Sequence, residues 1–192
     1  MRLDGQVFLF GKLPAHGDFV SRGLTELAER AWDDWASAAL ERLRAGAADF
    51  DAAHDAAPPW RFVAGPSALG QGWRIGALTA SIDGAGRRFI LAAGVQGCTP
   101  ASACACGLGF AVAAEEVLYR ALGERLTADQ AVEALSRALV LFDDEADVAE
   151  ALAAAPAGEG AWWSAGVGVR AAAVPPLDLL AAAGAARASE PV

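Results

Sequence analysis

Residues 89–95 read FILAAGV, seven consecutive positions without a polar side chain. A strand that is apolar on both faces cannot lie at the surface of a sheet; it has to be central and covered on two sides. The same residues form one arm of a hairpin. GWRIGALTASID precedes them, RRFILAAGVQG contains them, and the Gly-rich tip at residues 83–86 (DGAG) joins the two arms. The tip predicts φ > 0 at Gly84 and Gly86, with Asp83 and Arg87 beside it. Helices above and below the sheet follow from the doubly covered strand. The expected fold class is therefore α/β, a three-layer αβα sandwich with a mixed, largely antiparallel sheet. One domain over residues 1–192 is expected, with a flexible tail from about residue 184.

Other elements can be read around this hairpin. QVFLFGKL at residues 6–13 predicts a first strand, and PAHGDFVSRG a loop after it. Apolar residues at Leu27, Ala31, Trp35, Ala38 and Leu43 follow a helical rhythm, with Thr25 as cap and Gly46 as stop. Residues 49–59 read as a polar connection, and WRFVAG from Trp60 as a short strand. CTPASACACGLG leads into a helix ending near Gly123, and Thr127 with Gln130 forms a capping box for a helix running to about Phe142. The acidic stretch from Asp143 to Glu150 predicts a further helix. GAWWSAGVGV predicts a last strand, and residues 177–183 a short helix.

Composition excludes several classes of function. A formal net charge of −9 argues against a general phosphate-neutralising surface, so no nucleic acid is expected as a partner. No segment reads as a membrane span, and the apolar run at the N-terminus is too short for a signal peptide, which makes the cytoplasm the expected location. Three cysteines at Cys98, Cys104 and Cys106 make neither a disulfide framework nor a paired zinc-ligand pattern. No cofactor or metal is expected.

Two polar clusters each follow an apolar strand. One comprises Gly11, Lys12, Pro14, His16, Gly17, Asp18 and Arg22, and the other Ser81, Asp83, Gly86 and Arg87. Both can project from the same end of one sheet, where ligand sites often form. His16, Asp18 and Ser81 are the residue types of a nucleophilic triad, so a hydrolase is the alternative reading. No nucleophile elbow surrounds Ser81, however, and opposite charges at Asp18, Asp83, Arg22 and Arg87 more simply brace the two loops or dock a partner. Among the six tryptophans, adjacent Trp162 and Trp163 must point to opposite faces of a strand. Core packing is the default for the tryptophans, with one of them able to anchor a partner.

FGKLPAHGDFVSRG at residues 10–23 resembles the opening motif of the TagF family, also called ImpM, accessory proteins of bacterial type VI secretion systems. The likeness continues in order through Trp32 and Trp35, APPWRF with Trp60 and Arg61, SIDGAGRRF from Ser81, and WWS from Trp162. It departs from the family at Ala80 and Ile90, where members commonly carry proline. The resemblance implies an αβα sandwich. It also implies post-translational repression of the secretion apparatus through its forkhead-associated scaffold protein; an assembly factor without repressor activity is the other regulatory reading. Some relatives carry a fused phosphatase domain of the threonine-phosphorylation pathway. This chain has no room for one, so any such phosphatase is expected to be a separate protein. No catalytic residues carry over.

Overall fold

The computed structural model describes residues 5–138, 159–165 and 167–181, without the side chain of Cys106. The hairpin proposed from sequence is its centre. Strand β4 (Trp73–Ile82) pairs antiparallel with β5 (Arg88–Cys98), with Thr79 opposite Leu91 and Ile82 opposite Arg88. Strand β1 (Gln6–Gly11) lies on the other side of β5, and β2 (Val20–Arg22) closes that edge. On the opposite flank come β3 (Trp60–Ala64), β6 (Gly160–Ser164) and β7 (Gly168–Ala172). The sheet order is β2-β1-β5-β4-β3-β6-β7. Every neighbouring pair is antiparallel, so the mixed sheet anticipated above is corrected to a fully antiparallel one among the described strands. Four of the pairings, β1–β2, β3–β4, β4–β5 and β6–β7, join consecutive strands, while β1–β5 and β3–β6 join strands distant in the sequence.

Both faces of β5 are indeed covered. Ile90 and Ala92 face a layer built on α1 (Glu26–Gly46), while Leu91, Ala93 and Val95 face α3 (Pro100–Gly123) and α4 (Ala128–Arg137). Thr25 caps α1, accepting from the Ala28 amide, and the Thr127–Gln130 capping box opens α4. Thr99 caps α3 and Pro100 fills its first turn, so that helix begins at the Cys/Ala segment itself. Helix α2 (Phe50–Asp55), capped by Asp49, occupies what the sequence suggested was a plain connection. The expected last strand is two strands, β6 and β7, and the expected C-terminal helix is a single 3-10 turn at Leu179–Ala181. The helix expected from Asp143 lies outside the described residues.

Five tryptophans are buried, and three of their indole N–H groups hold one segment. Trp35 Nε1 donates to the Pro175 carbonyl at 2.7 Å, Trp60 Nε1 to Leu179 at 3.1 Å and Trp162 Nε1 to Ala172 at 3.1 Å. A buried indole usually finds an acceptor; for these three the main chain from the end of β7 to Leu179 supplies it, whereas the buried Trp32 and Trp163 N–H groups have no hydrogen-bond partner among the described residues. Trp32 centres the same layer, with Phe8, Phe10, Phe62 and Trp35 rings within 6.4 Å of its own.

Candidate functional site

Strands β1 and β4 both run antiparallel to β5, so they end on the same side of the sheet. The loop after β1, residues 12–19, and the turn after β4, residues 83–87, therefore meet. The Gly84 amide donates to the His16 carbonyl at 2.7 Å. Within the turn, Gly86 N–H donates to Asp83 O at 3.0 Å and Asp83 N–H to Arg87 O at 3.1 Å, a three-residue hairpin loop that requires left-handed backbone at its last position. Gly86 supplies it with φ +79°. Gly84 does not have the positive φ expected of it. Its glycine character is instead required by closeness, since a Cβ there would lie 3.1 Å from the His16 carbonyl oxygen.

Asp83 is the hub. Its carboxylate is fully buried; Oδ1 accepts the Ala85 and Arg87 amides at 2.9 Å each, and Oδ2 meets Arg87 Nε at 2.7 Å and Lys12 Nζ at 3.3 Å. Burial alone would push this carboxyl up. The Arg87 amide and guanidinium, the Lys12 ammonium and the Ala85 amide outweigh that and hold it well below the usual carboxylate range. Lys12, the chain's one lysine, is also buried, its Nζ 5.1 Å from the Phe19 ring centre and 5.8 Å from that of Phe89. The Lys12 amide extends the β1–β5 ladder by donating to Ile90 O at 3.0 Å.

The loop is fastened at further points. Ser81 Oγ donates to the Lys12 carbonyl at 2.6 Å, the Arg125 guanidinium to the Pro14 carbonyl, and the Arg87 guanidinium to the Gly17 carbonyl. His16 Nε2 accepts the Ala128 amide at 3.1 Å, at the first turn of α4. Arg125 takes up left-handed backbone, φ 55°, just past the end of α3. Gly11 enters the loop at φ +128°, with room for no Cβ: one would sit 2.1 Å from the Ile90 carbonyl oxygen. Asp18 and Phe19 stand on the outer side, Asp18 3.5 Å from Arg87 and Phe19 half exposed, its ring centre 4.6 Å from that of Phe89 in an edge-to-face arrangement.

The structure thus brings the two polar clusters together, but not as a triad. The Ser81 hydroxyl is spent on Lys12 and the His16 ring on Ala128, while Asp18 faces Arg87. Arg22 reaches Asp129 of α4 at 2.8 Å, and Arg61 reaches Glu115 of α3 at 2.8 Å. Trp60 and Trp162 are fully buried beneath α1, and Trp163 is buried on the α3 face; all three belong to the core, not to an exposed anchor. Sequence reasoning missed Phe19, Arg125 and Asp129, and also His54, whose Nε2 lies 2.6 Å from the Phe89 carbonyl. Beside it, the Arg88 guanidinium and His54 hold the Asp55 carboxyl below its usual range. Only the Asp49 cap and the acid spacing in FDAAHD hinted at this cluster. Arg125 and Asp129 are over a hundred residues from their partners, and no local pattern could pair them.

Residues 9–138 match the family model described as TagF N-terminal domain, type VI secretion system-associated. The chain belongs to this family. Among solved structures it is similar to PA0076 from Pseudomonas aeruginosa PAO1, at 29% identity and a TM-score of 0.68, over 91% of each chain. Comparison with curated proteins gave no match. Membership makes the chain a type VI secretion-associated accessory protein. No helix among the described residues is long and apolar enough to cross a membrane, and no group of three or more His, Cys, Asp or Glu among them could hold a metal ion.

Proposed function

We propose that this chain is a cytoplasmic repressor of type VI secretion that binds the forkhead-associated scaffold protein through the face formed by residues 12–19 and 83–87. One observation carries the reading. The loop is tied down on its inner side by buried charge and main-chain bonds, while Asp18, Phe19 and the outer part of Arg87 remain exposed. A pre-ordered face of this kind loses little conformational freedom on binding. The hydroxyl and imidazole needed for the hydrolase alternative are both engaged by main-chain groups, so docking is the better supported use of these residues.

Deleting the gene and following release of the secreted tube protein tests the sign of the effect. Increased release is the expected result, and lost release would identify an assembly factor instead. Replacing Asp18 by Arg together with Phe19 by Ser tests the face: the variant should stay folded and no longer co-purify with the scaffold protein. Normal co-purification would put the binding surface elsewhere.

A further inference from the structure

Strand β4 is longer than its partner on the β3 side. β3 pairs with it only as far as Leu78, opposite Trp60, whereas β5 accompanies it to Ile82. Directly opposite residues in an antiparallel pair alternate between hydrogen-bonded and non-bonded positions. The Asp83 amide donates to Arg87 O, so in this register odd-numbered residues of the stretch turn their main-chain groups towards β5 and even-numbered ones turn away. Ala80 N–H and C=O and the Ile82 N–H consequently face an edge that β3 has left. The cause is in the sequence. Continuing the β3 register would set Pro59 opposite Thr79 and Pro58 opposite Ala80, and proline has no N–H to give a ladder.

The vacated edge lies at the bottom of a slot of about 660 Å³, walled by His54 and Ala57 on one side and Tyr119 and Leu122 of α3 on the other. Thr79 also lines it. By alternation Thr79 shares the α3-covered face with Ile75 and Ala77, and its side chain is more than nine-tenths buried, yet no described residue hydrogen-bonds its hydroxyl. Ile82 and Tyr119 remain substantially exposed at the mouth. Burial, and then the Glu115 carboxylate, push the Tyr119 phenol up; like any phenol it is protonated and a hydrogen-bond donor at neutral pH.

We infer that this slot binds an extended segment of a partner protein, which adds a short strand to β4 at residues 79–82. A row of alternating main-chain donors and acceptors is matched by another extended backbone, and pockets beside it read alternate side chains. The segment carries non-proline residues where it meets Ala80 and Ile82, and on the α3 side a hydrogen-bond acceptor for Thr79 and Tyr119. The vacated stretch of β4 is only residues 79–82, a length that suits a short extended segment. This inference does not depend on the identity of the secretion partner.

The test uses the full chain and a phage-displayed library of random octapeptides. In the free protein, Ala80 and Ile82 amides should exchange with solvent much faster than Thr79 and Ser81. Protection of all four would overturn the inference, because residues 182–192 or a second copy would then already fill the edge. Enriched peptides should lose at least tenfold in affinity on Ala80→Pro, which deletes only an outward N–H, and severalfold on Thr79→Val. N-methylation along the selected peptide should abolish binding at alternate residues only. Peptides that bind both variants as well as the wild type, or that respond to N-methylation without alternation, would refute strand addition, as would a library yielding none that distinguishes Ala80→Pro.

Discussion

Replacing Lys12 by Met tests whether Asp83 organises the site. The substitution keeps the side-chain length and removes the charge. What is lost is one charge-assisted contact to Asp83 Oδ2 at 3.3 Å and the placement of an ammonium against the Phe19 and Phe89 rings. A hydrogen bond to a charged group contributes about 1.5–3 kcal/mol, and each cation–π contact about 0.5–1 kcal/mol. Against this stands relief of the cost of burying the ammonium, and a thioether packs well on aromatic edges. Breaking a buried ion pair usually costs about 3–5 kcal/mol because a charge is stranded. Asp83 would not be stranded, since the Arg87 guanidinium and two amides remain within 2.9 Å. The expected loss is therefore near 2 kcal/mol, or a fall in Tm of about 4–8 °C for a chain of this size. Asp83→Leu is the converse case: it leaves Lys12 buried with no carboxylate and should destabilise more, and the double variant should recover part of that loss. Urea unfolding of the three variants, followed by tryptophan fluorescence, measures all of this. If Lys12→Met costs as much as Asp83→Leu, or if the double variant is the sum of the singles, the hub description is wrong.

Acid should weaken the fold through the same carboxylate. A depressed folded pKa means that its contribution is complete above the unfolded value, about 3.9, and is lost as pH falls through the folded one; the urea midpoint should drop below pH 4, and in Asp83→Asn it should start lower and fall less. Gly11→Ala should destabilise by more than about 2 kcal/mol, because the residue combines φ +128° with a Cβ 2.1 Å from the Ile90 oxygen; a thermal melt within a degree of wild type would contradict that geometry. His16→Ala removes the acceptor of the first α4 amide, for a loss of about 1 kcal/mol, and should speed exchange of the Ala128 amide ahead of those in α3. Unchanged exchange at Ala128 would show that the imidazole does not hold it.

The fold was legible wherever the pattern was local. The doubly apolar run at residues 89–95, the Thr25 cap and the Thr127–Gln130 box each lead to the element observed. Helix α2 was not legible, since its six residues bury only His54 and Ala/Asp composition matches a loop equally well. The split into β6 and β7 hides in GVGV, where a turn and a strand end have the same residues. At the site, the meeting of the two polar clusters could be anticipated from strand direction. The partners could not: Ser81 with the Lys12 carbonyl, His16 with the Ala128 amide and Trp35 with the Pro175 carbonyl are side chain to main-chain bonds, and main-chain donors and acceptors carry no sequence signature.

Bracing and docking make different demands on the same loop, and the structure divides them by side. Lys12, Ser81 and Asp83 are buried and satisfied within the chain, so they cannot touch a partner without breaking the loop apart. Any loss of binding in their variants has to follow from lost order, and it should recover under conditions that restore folding. Asp18 gives up little on substitution, because it is almost wholly exposed, whereas half-exposed Phe19 also packs on the Phe89 ring and on the Lys12 ammonium, so its variant is read with a thermal melt beside the binding assay. Arg87 straddles the division: its Nε serves the buried carboxylate, another nitrogen holds Gly17, and more than half of the side chain faces solvent. An Arg87→Ala variant that failed to bind would therefore not discriminate between a missing contact and a loosened loop. Arg87→Lys sharpens the question, since a lysine can keep a charge near Asp83 but cannot bridge Asp83 and Gly17 at once. Binding that survives in Arg87→Lys with lowered Tm assigns Arg87 to the brace, whereas unchanged Tm with lost binding assigns its outer nitrogens to the partner.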